Sequence, residues 1–376
     1  MLRLAWENVT HKKLRAAASI GGVAFSILLM FMQLGIYSAA EKSAEIIYDA
    51  LDFDIALTSP QYVFIASAGT IPREALLRAK DVYGVASAKP LLVNFVLMQS
   101  VSDGIPRGIV LFGMNPEEVP FIDPEIKDQA SKLTEIDTSL FDREARGEYG
   151  PRDVGSKIMI GAYTTDVVGR YTLGTGFVAG ADAIVSDQTF VRLTRNNRVD
   201  RPTLGLVKVV SGESPTKVAQ RLQKAYSSDV VVRTRDELMN IERNFFVNVK
   251  PIGIMFQSGV VVGFLVGAVT LYQILSAQVT NHMKELATLK AMGYSDLKVQ
   301  SVVVLEGFIY ALVGYVPAYL GGIGLYFILR AAAMVPVWMT FERATFVLCL
   351  TLVMCTVSSL LAVRKVRTAD PADLFG

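Results

Sequence analysis

The sequence predicts a membrane protein with four transmembrane α-helices and a large two-lobed α+β domain, carried outside the membrane between helices 1 and 2. Three observations predict it. Four apolar runs, 16–40, 252–275, 301–329 and 344–363, contain one charged residue among them, Glu306. At ~1.5 Å per residue each run can cross a ~30 Å hydrocarbon core. Between the first two runs, residues 41–251 hold no stretch of that length, and short strand-like and helix-like segments alternate there. Finally, Lys and Arg gather beside the spans at one set of ends. Composition agrees: 52% of the 376 residues are hydrophobic and mean hydropathy is +0.39, which suits membrane helices joined to a sizeable water-exposed part. A formal charge of +2 is too small to recruit nucleic acid.

Residues 1–15 place Leu2, Trp6, Val9 and Lys13 at helical spacing beside Arg3, Lys12 and Arg15, the pattern of a basic helix lying at the cytoplasmic interface with Trp6 at headgroup depth. The first span, 16–40, ends in Ser38-Ala39-Ala40, which resembles a signal cleavage site, but its apolar run exceeds the ~7–15 residues of a signal-peptide core. Residues 41–51 read as a helical stalk. The domain 41–251 then shows two strand–helix–strand stretches, 51–100 and 204–234, with Pro72 and Pro215 at or near helix starts and Gly84 at a helix stop. They flank a middle section, 115–193, rich in Gly, Asp, Pro and short strands. This suggests two lobes and a duplicated unit, a reading that rests on pattern alone, since no residues match between the two stretches.

The second span, 252–275, repeats Gly259, Gly263 and Gly267 every four residues, a register that lets helix backbones approach closely. A loop, 276–300, follows. The third span, 301–329, carries Gly307, Gly314 and Gly321 a heptad apart and Pro317, which is expected to kink it. A short loop, 330–343, the fourth span, 344–363, and a basic tail, 364–376, complete the chain. Arg3, Lys12, Lys13, Arg15, Lys284, Lys290, Lys298, Arg364, Lys365 and Arg367 stand against only Arg330 and Arg343 in the short loop. The expectation is therefore cytoplasmic termini, a cytoplasmic 276–300 loop and the large domain outside.

Within that loop, residues 280–294 form a polar island. Met283, Leu286, Leu289 and Met292 recur every third position among Lys284, Glu285 and Lys290, giving a helix with an apolar band. Gly293 can close it in the left-handed conformation, and Ser295 and Asp296 sit where the next helix needs its N-cap. Such a helix suits contact with a partner at the membrane surface. Equally, it could serve only to return the chain to the bilayer.

The chain has no GxxxxGK[ST] loop to cradle the phosphates of ATP, and no HExxH, GxSxG or paired-Cys motif. His11 and His282 both fall in segments read as cytoplasmic. Cys349 and Cys355, ~9 Å apart along one helix and on different faces, cannot pair. These absences disfavour an enzyme, a bound cofactor or a metal site. Glu306, near the cytoplasmic end of the third span, is the one ionisable residue within the spans. It is expected to pair structurally with a nearby Lys or Arg and not to relay protons.

These residues carry a resemblance. One span, an outer domain of about two hundred residues and three further spans resemble the MacB/FtsX-like family of ABC transporter permeases. KELATLKAMGYS (284–295) is similar to that family's cytoplasmic helix, with Lys284 where Arg is usual. Glu306 opens the third span as family members do, and RTADPADLF (367–375) resembles the family's closing motif, with Asp370 and Pro371 in place and the final Arg missing. LDFDIALTSPQYV, VLFGMNPEE and LFDREARGEYGP look like the DevC-type branch.

The resemblance implies a permease subunit in the inner membrane that binds no nucleotide itself. A separate ABC ATPase, which binds ATP, would dock on Met283, Lys284, Glu285, Leu286, Leu289, Lys290, Met292 and Gly293. It also implies a homodimer joined through Ala18, Gly22, Ser26, Gly259, Gly263 and Gly267. A periplasmic adaptor would sit on the outer domain, with an outer-membrane channel beyond, for export of a lipid or other amphipathic substrate by mechanotransmission. The other function it allows is an FtsX-like signalling scaffold that activates a periplasmic cell-wall hydrolase.

Overall fold

A computed structural model describes residues 6–7, 13–99, 103–174, 176–194, 198–226, 228–283, 285, 288–289 and 292–367. In chain order the elements are α1 (Lys13–Asp49), β1 (Ile55–Thr58), α2 (Glu74–Lys80), β2 (Val85–Gln99), β3 (Pro106–Met114), α3 (Pro124–Gln129), β4 (Thr138–Asp142), β5 (Lys157–Ile160), β6 (Tyr163–Tyr171), β7 (Asp182–Ser186), α4 (Asp187–Thr194), β8 (Leu204–Val209), α5 (Pro215–Ala225), β9 (Val231–Thr234), α6 (Arg235–Asn244), a π-helical turn (Phe245–Val249), α7 (Ile252–Asn281), α8 (Asp296–Ala333) and α9 (Phe341–Arg367). Chain contacts divide them into a helical unit, Met1–Ser38 with Gly253–Ala333 and Val337–Gly376, and an inserted domain, Ala39–Ile252 with Met334–Pro336.

Among the described residues four helical stretches are long and apolar enough to cross a membrane: Ala16–Asp49, Ile252–Asn281, Leu297–Ala332 and Phe341–Arg364. Their lengths follow from uninterrupted runs of residues whose backbone groups must all be satisfied within the segment. The stalk expected at 41–51 is no separate element, because α1 runs on without a break to Asp49. Likewise α8 continues through Pro317. Most of the expected interfacial helix at 1–15, and the tail beyond Arg367, lie outside the described residues.

The inserted domain has two lobes, divided differently from the sequence expectation. The two strand–helix–strand stretches do not make one lobe each; they interleave. β1 pairs antiparallel with both β8 and β9, and β8 pairs antiparallel with the first half of β2, giving the order β2-β8-β1-β9. The physical reason lies in the strands themselves. β1 is buried along its whole length and β8 at all but Lys208, so both need neighbours on each edge and on both faces. Ile55, Leu57, Val207 and Val209 pack on Ala75, Leu76, Ala79, Val218 and Leu222 of α2 and α5. Ala56, Leu204 and Leu206 face the opposite side, with Tyr48, Phe53 and Leu238. Pro215 opens α5. Gly84, at φ +96°, makes the turn into β2, where a Cβ would lie 2.8 Å from Val218.

The second half of β2 leaves this sheet and pairs with β3 from Leu92 to Gln99. From there the pairings β3-β7-β4-β6-β5 return to β2, so six strands close into a ring. One apolar cluster takes side chains from all six strands, among them Met98, Ile109, Phe141, Ile158, Val167 and Val185, together with Phe190 of α4. A closed ring leaves no open edge to recruit another chain.

Candidate functional site

In the helical unit the glycine register of the second span is used for close packing, as its spacing predicts, but against helices of the same chain. A Cβ added at Gly263 would lie 3.2 Å from Met30 and 3.6 Å from the carbonyl oxygen of Ser26. At Gly267 it would meet Met354 of α9 at 2.4 Å and Ser26 at 3.0 Å, and at Gly259 the Gln33 amide at 2.4 Å. Gly22 faces Thr270 at 3.2 Å. Gly22, Ser26, Gly259, Gly263 and Gly267 thus lie against α1, α7 and α9 of the same chain. Without a hydrophobic drive inside lipid, helices associate through such close contact, and small residues gather where backbones approach. Ala18, one turn before Gly22 on α1, is exposed.

Gly314 of α8 approaches α1 in the same way, with Val23, Ala24 and Ile20 within 3.3–3.4 Å of an added Cβ. Glu306, one turn before Tyr310 on α8, is 3% exposed. The Tyr310 hydroxyl accepts a hydrogen bond of 2.6 Å from the Gln278 amide of α7. Cys349 is exposed and Cys355 buried, and both are free.

Of the segment expected to couple to a partner, Lys284, Leu286 and Lys290 lie outside the described residues. Met283 and Leu289 are half-buried against the apolar cluster of the chain's own helices, beside Val279 and Val299. Gly293 takes the left-handed conformation at φ +87°. The Tyr294 amide donates to the carbonyl of Leu289 at 3.1 Å and that of Met292 to Thr288 at 3.0 Å, a helix stop of the expected kind. The amides of Lys298 and Val299 donate to the carbonyl of Ser295, where the next helix was expected to begin. Glu285 lies 2.9 Å from His282. Among the described residues, the large apolar side chains left outward are Met292 (63% exposed), Tyr294 (43%) and Leu297 (75%). Tyr294 and Leu297 fall outside the every-third-residue pattern that marks Met283, Leu286, Leu289 and Met292, so periodicity gives no sign of them.

A second cluster lies within the inserted domain. Thr234 and Glu237 form a capping box that starts α6. At the other end of α6, Glu242 is fully buried. The Tyr62 hydroxyl donates to its Oε1, the Tyr48 hydroxyl of α1 stands 2.5 Å from that of Tyr62, and among the described residues Oε2 has no partner. Burial pushes the Glu242 carboxyl from 4.5 up to about 7, against the opposing pull of its tyrosine hydrogen bonds. It also holds the Tyr62 phenol well above its ordinary range. Around this core, Arg243 pairs with Glu45, Lys42 reaches Asp49 at 2.6 Å, and Arg235 donates to the Tyr48 carbonyl at 2.9 Å. Arg233 lies over the Tyr62 ring. Phe64 stacks on Phe245 with ring centres 3.9 Å apart, and the Lys250 ammonium is 5.1 Å from the Phe246 ring. Two segments distant in sequence, the end of α1 and α6, are thus clasped together. The one trace in the sequence was a glutamate four residues after Leu238, on the buried side of α6.

Residues 257–371 match the family model of the FtsX-like permease C-terminal region. That part of the chain, with the last three apolar helices, is similar to FtsX-like permease C-terminal regions. Among solved structures, the chain is similar to the periplasmic region of MacB from Actinobacillus actinomycetemcomitans, at 10% identity and a TM-score of 0.37, over 54% of this chain and 98% of that one. It is also similar to the extracellular domain of the noncanonic ABC-type transporter YknZ from Gram-positive bacteria (12% identity, TM-score 0.34, 48% and 98% coverage). A third is a domain of a putative permease protein from Porphyromonas gingivalis (14%, 0.31, 48% and 86%). No curated protein matches the sequence.

The helical unit packs through glycines, and the inserted domain holds a buried carboxyl where proton binding alters stability. Two outcomes follow. Gly267→Leu should reduce the unfolding free energy of the detergent-purified protein by about 1–3 kcal/mol, whereas Gly324→Ala, with nothing within 4 Å of the added Cβ, should leave it near wild type; equal stabilities would show that α7 is not held against α1 and α9. For Glu242, a raised folded pKa means that the fold retains the proton. Its stabilisation is complete below about 4.5, declines as pH rises, and is lost above about 7. Glu242→Gln keeps the neutral form at every pH, so its melting temperature should gain on wild type between pH 5 and 8, by a difference on the order of 3 kcal/mol. Parallel pH profiles would rule out an uncompensated carboxyl at this position.

Proposed function

We propose that the permease is the membrane subunit of a tripartite ABC-type exporter. It would couple ATP hydrolysis by a separate ATPase to movement of the inserted domain, and so drive export of a lipid or other amphipathic substrate at a distance. The observation that carries this reading is the exposed apolar turn Met292–Tyr294–Leu297, held rigid by the Gly293 helix stop between two long apolar helices. A rigid apolar knob beside the exposed Glu285 is what a soluble ATPase can grip, and its burial would supply more than exposed ion pairs do. The mechanical character is supported by the scarcity of ionisable groups in the spans, with Glu306 buried in the helical unit, and by α1, a single helix whose far end takes part in the clasp.

In this reading the protein lies in the inner membrane with both termini and the 276–300 turn in the cytoplasm. The inserted domain is periplasmic and meets an adaptor protein, with an outer-membrane channel beyond it. ATP is bound by the partner subunit, consistent with the chain's DevC-type segments. A homodimer remains part of the proposal, with the second copy moved to the outward face of α7, where Val261, Val262, Leu265 and Val269 are exposed.

Sidedness is checked with a reporter active only in the cytoplasm: a fusion at Ser295 should work and an insertion at Gly212 should not, and activity at both would refute the four-span arrangement. Docking is checked by co-purification of the separate ATPase and by its ATP turnover in the complex. Leu297→Asp places a carboxylate in the proposed interface at a cost of several kcal/mol, yet suits the first turn of α8, where negative charge is favourable. It should abolish both signals while the permease still reaches the membrane. Glu285→Ala should shift them by less than about 1 kcal/mol. Retention of the ATPase by Leu297→Asp would move the coupling surface elsewhere.

A further inference from the structure

The chain between α8 and α9 brings together two arginines that the Lys/Arg asymmetry does not explain, since they stand at the ends opposite the basic clusters. Arg330 lies in the last turn of α8 and Arg343 in the first turn of α9. Both engage Trp338. The Arg330 guanidinium lies 5.7 Å from its ring centre, and Arg343 donates through Nη1 to its carbonyl oxygen while covering the Tyr326 ring at 5.4 Å. Among the described residues neither arginine is in an ion pair. Glu342, the adjacent carboxylate, is exposed. A guanidinium carries five N–H donors, so most of this donor capacity stays open.

Trp338 itself is 52% exposed. Farther into the helices, on the span side of the two cations, Phe327 (64% exposed) and Phe346 (51%) point outward, and Phe341 (86%) stands at the start of α9. Charge at the helix ends, an indole beside it and an apolar surface below are ordered as the phosphate, interfacial and acyl levels of a phospholipid.

We propose that Arg330, Arg343 and Trp338 form a binding site for the phosphate headgroup of an anionic phospholipid, whose acyl chains lie along Phe327 and Phe346. The apolar surface commits the site to a lipid, because a free phosphate has nothing to place there. The proposal rests on the reading that α8 and α9 cross a bilayer.

The chain has only two tryptophans, so Trp6→Phe leaves Trp338 as the sole indole reporter. The full-length variant is reconstituted in phosphatidylcholine vesicles containing the same mole fraction of either brominated phosphatidylglycerol or brominated phosphatidylcholine. Trp338 fluorescence should report local enrichment of the anionic lipid of about tenfold or more, as two surface arginines supply. In Arg330→Gln/Arg343→Gln that excess should disappear, while Arg330→Lys/Arg343→Lys should keep most of it. Equal quenching by the two lipids would overturn the proposal. So would an excess that survives in the glutamine pair, or one that excess inorganic phosphate abolishes, which would mark a site for a free anion. Failure of both lipids to quench Trp338 would instead remove the bilayer placement on which the proposal rests.

Discussion

The helical unit depends on one close approach. α7 can lie against α1 only because Gly263 and Gly267 present bare backbone to Met30 and Ser26. Lipid chains are as apolar as leucine, so helices gain nothing by hiding Leu or Val from them; what holds them together is dispersion at short range and the occasional hydrogen bond. Ser358 illustrates the second term, donating to the Ala268 carbonyl at 2.8 Å next to Gly267. Once α1 and α7 are seated, Met354 of α9 fills the space over Gly267, and Gly314 brings α8 onto α1. The small residues determine where each helix may sit, and the large ones fill what remains.

The inserted domain is governed by the opposite physics. There, burial of apolar surface from water drives assembly, and the problem is to cover both faces of β1 and β8. Interleaving two strand–helix–strand units solves it, with helices on one face and the ring lobe's outer cluster on the other. β2 serves both lobes because it is 15 residues long, enough to pair with β8 over its first half and with β3 over its second. This shared strand joins the lobes through continuous backbone hydrogen bonding.

The clasp of Tyr48, Tyr62 and Glu242 connects fold to mechanism. In the proposed reading, a subunit that transmits force would need its chain crossings fixed where they enter the inserted domain. Here the end of α1 and α6 are joined by a buried hydrogen-bonded chain, an ion pair and a stacked aromatic pair. Burying a carboxyl with one oxygen unpartnered costs stability, and the rise of its pKa to about 7 limits that cost at lower pH, where the group stays neutral. The turn at Met292, Tyr294 and Leu297 makes the opposite choice and leaves its apolar side chains exposed.

The sequence by itself determined the spans, the insertion between the first two, the helix stop at Gly293 and the small-residue face of α7. All of these follow from local length, period or backbone freedom, which a chain carries whatever its surroundings. Only the tertiary structure decided what those features touch. Gly259, Gly263 and Gly267 announce a close neighbour but cannot say whether it belongs to the same chain; Ser26, Met30, Gln33 and Met354 supply that answer. Strand pairing was hidden for the same reason: β1 meets β8 about 150 residues away along the chain, and alternation of side chains says nothing about which distant edge is complementary. Glu242 was invisible because the groups that make it matter, Tyr48 and Tyr62, come from elsewhere in the chain, and burial is a property of the assembled domain.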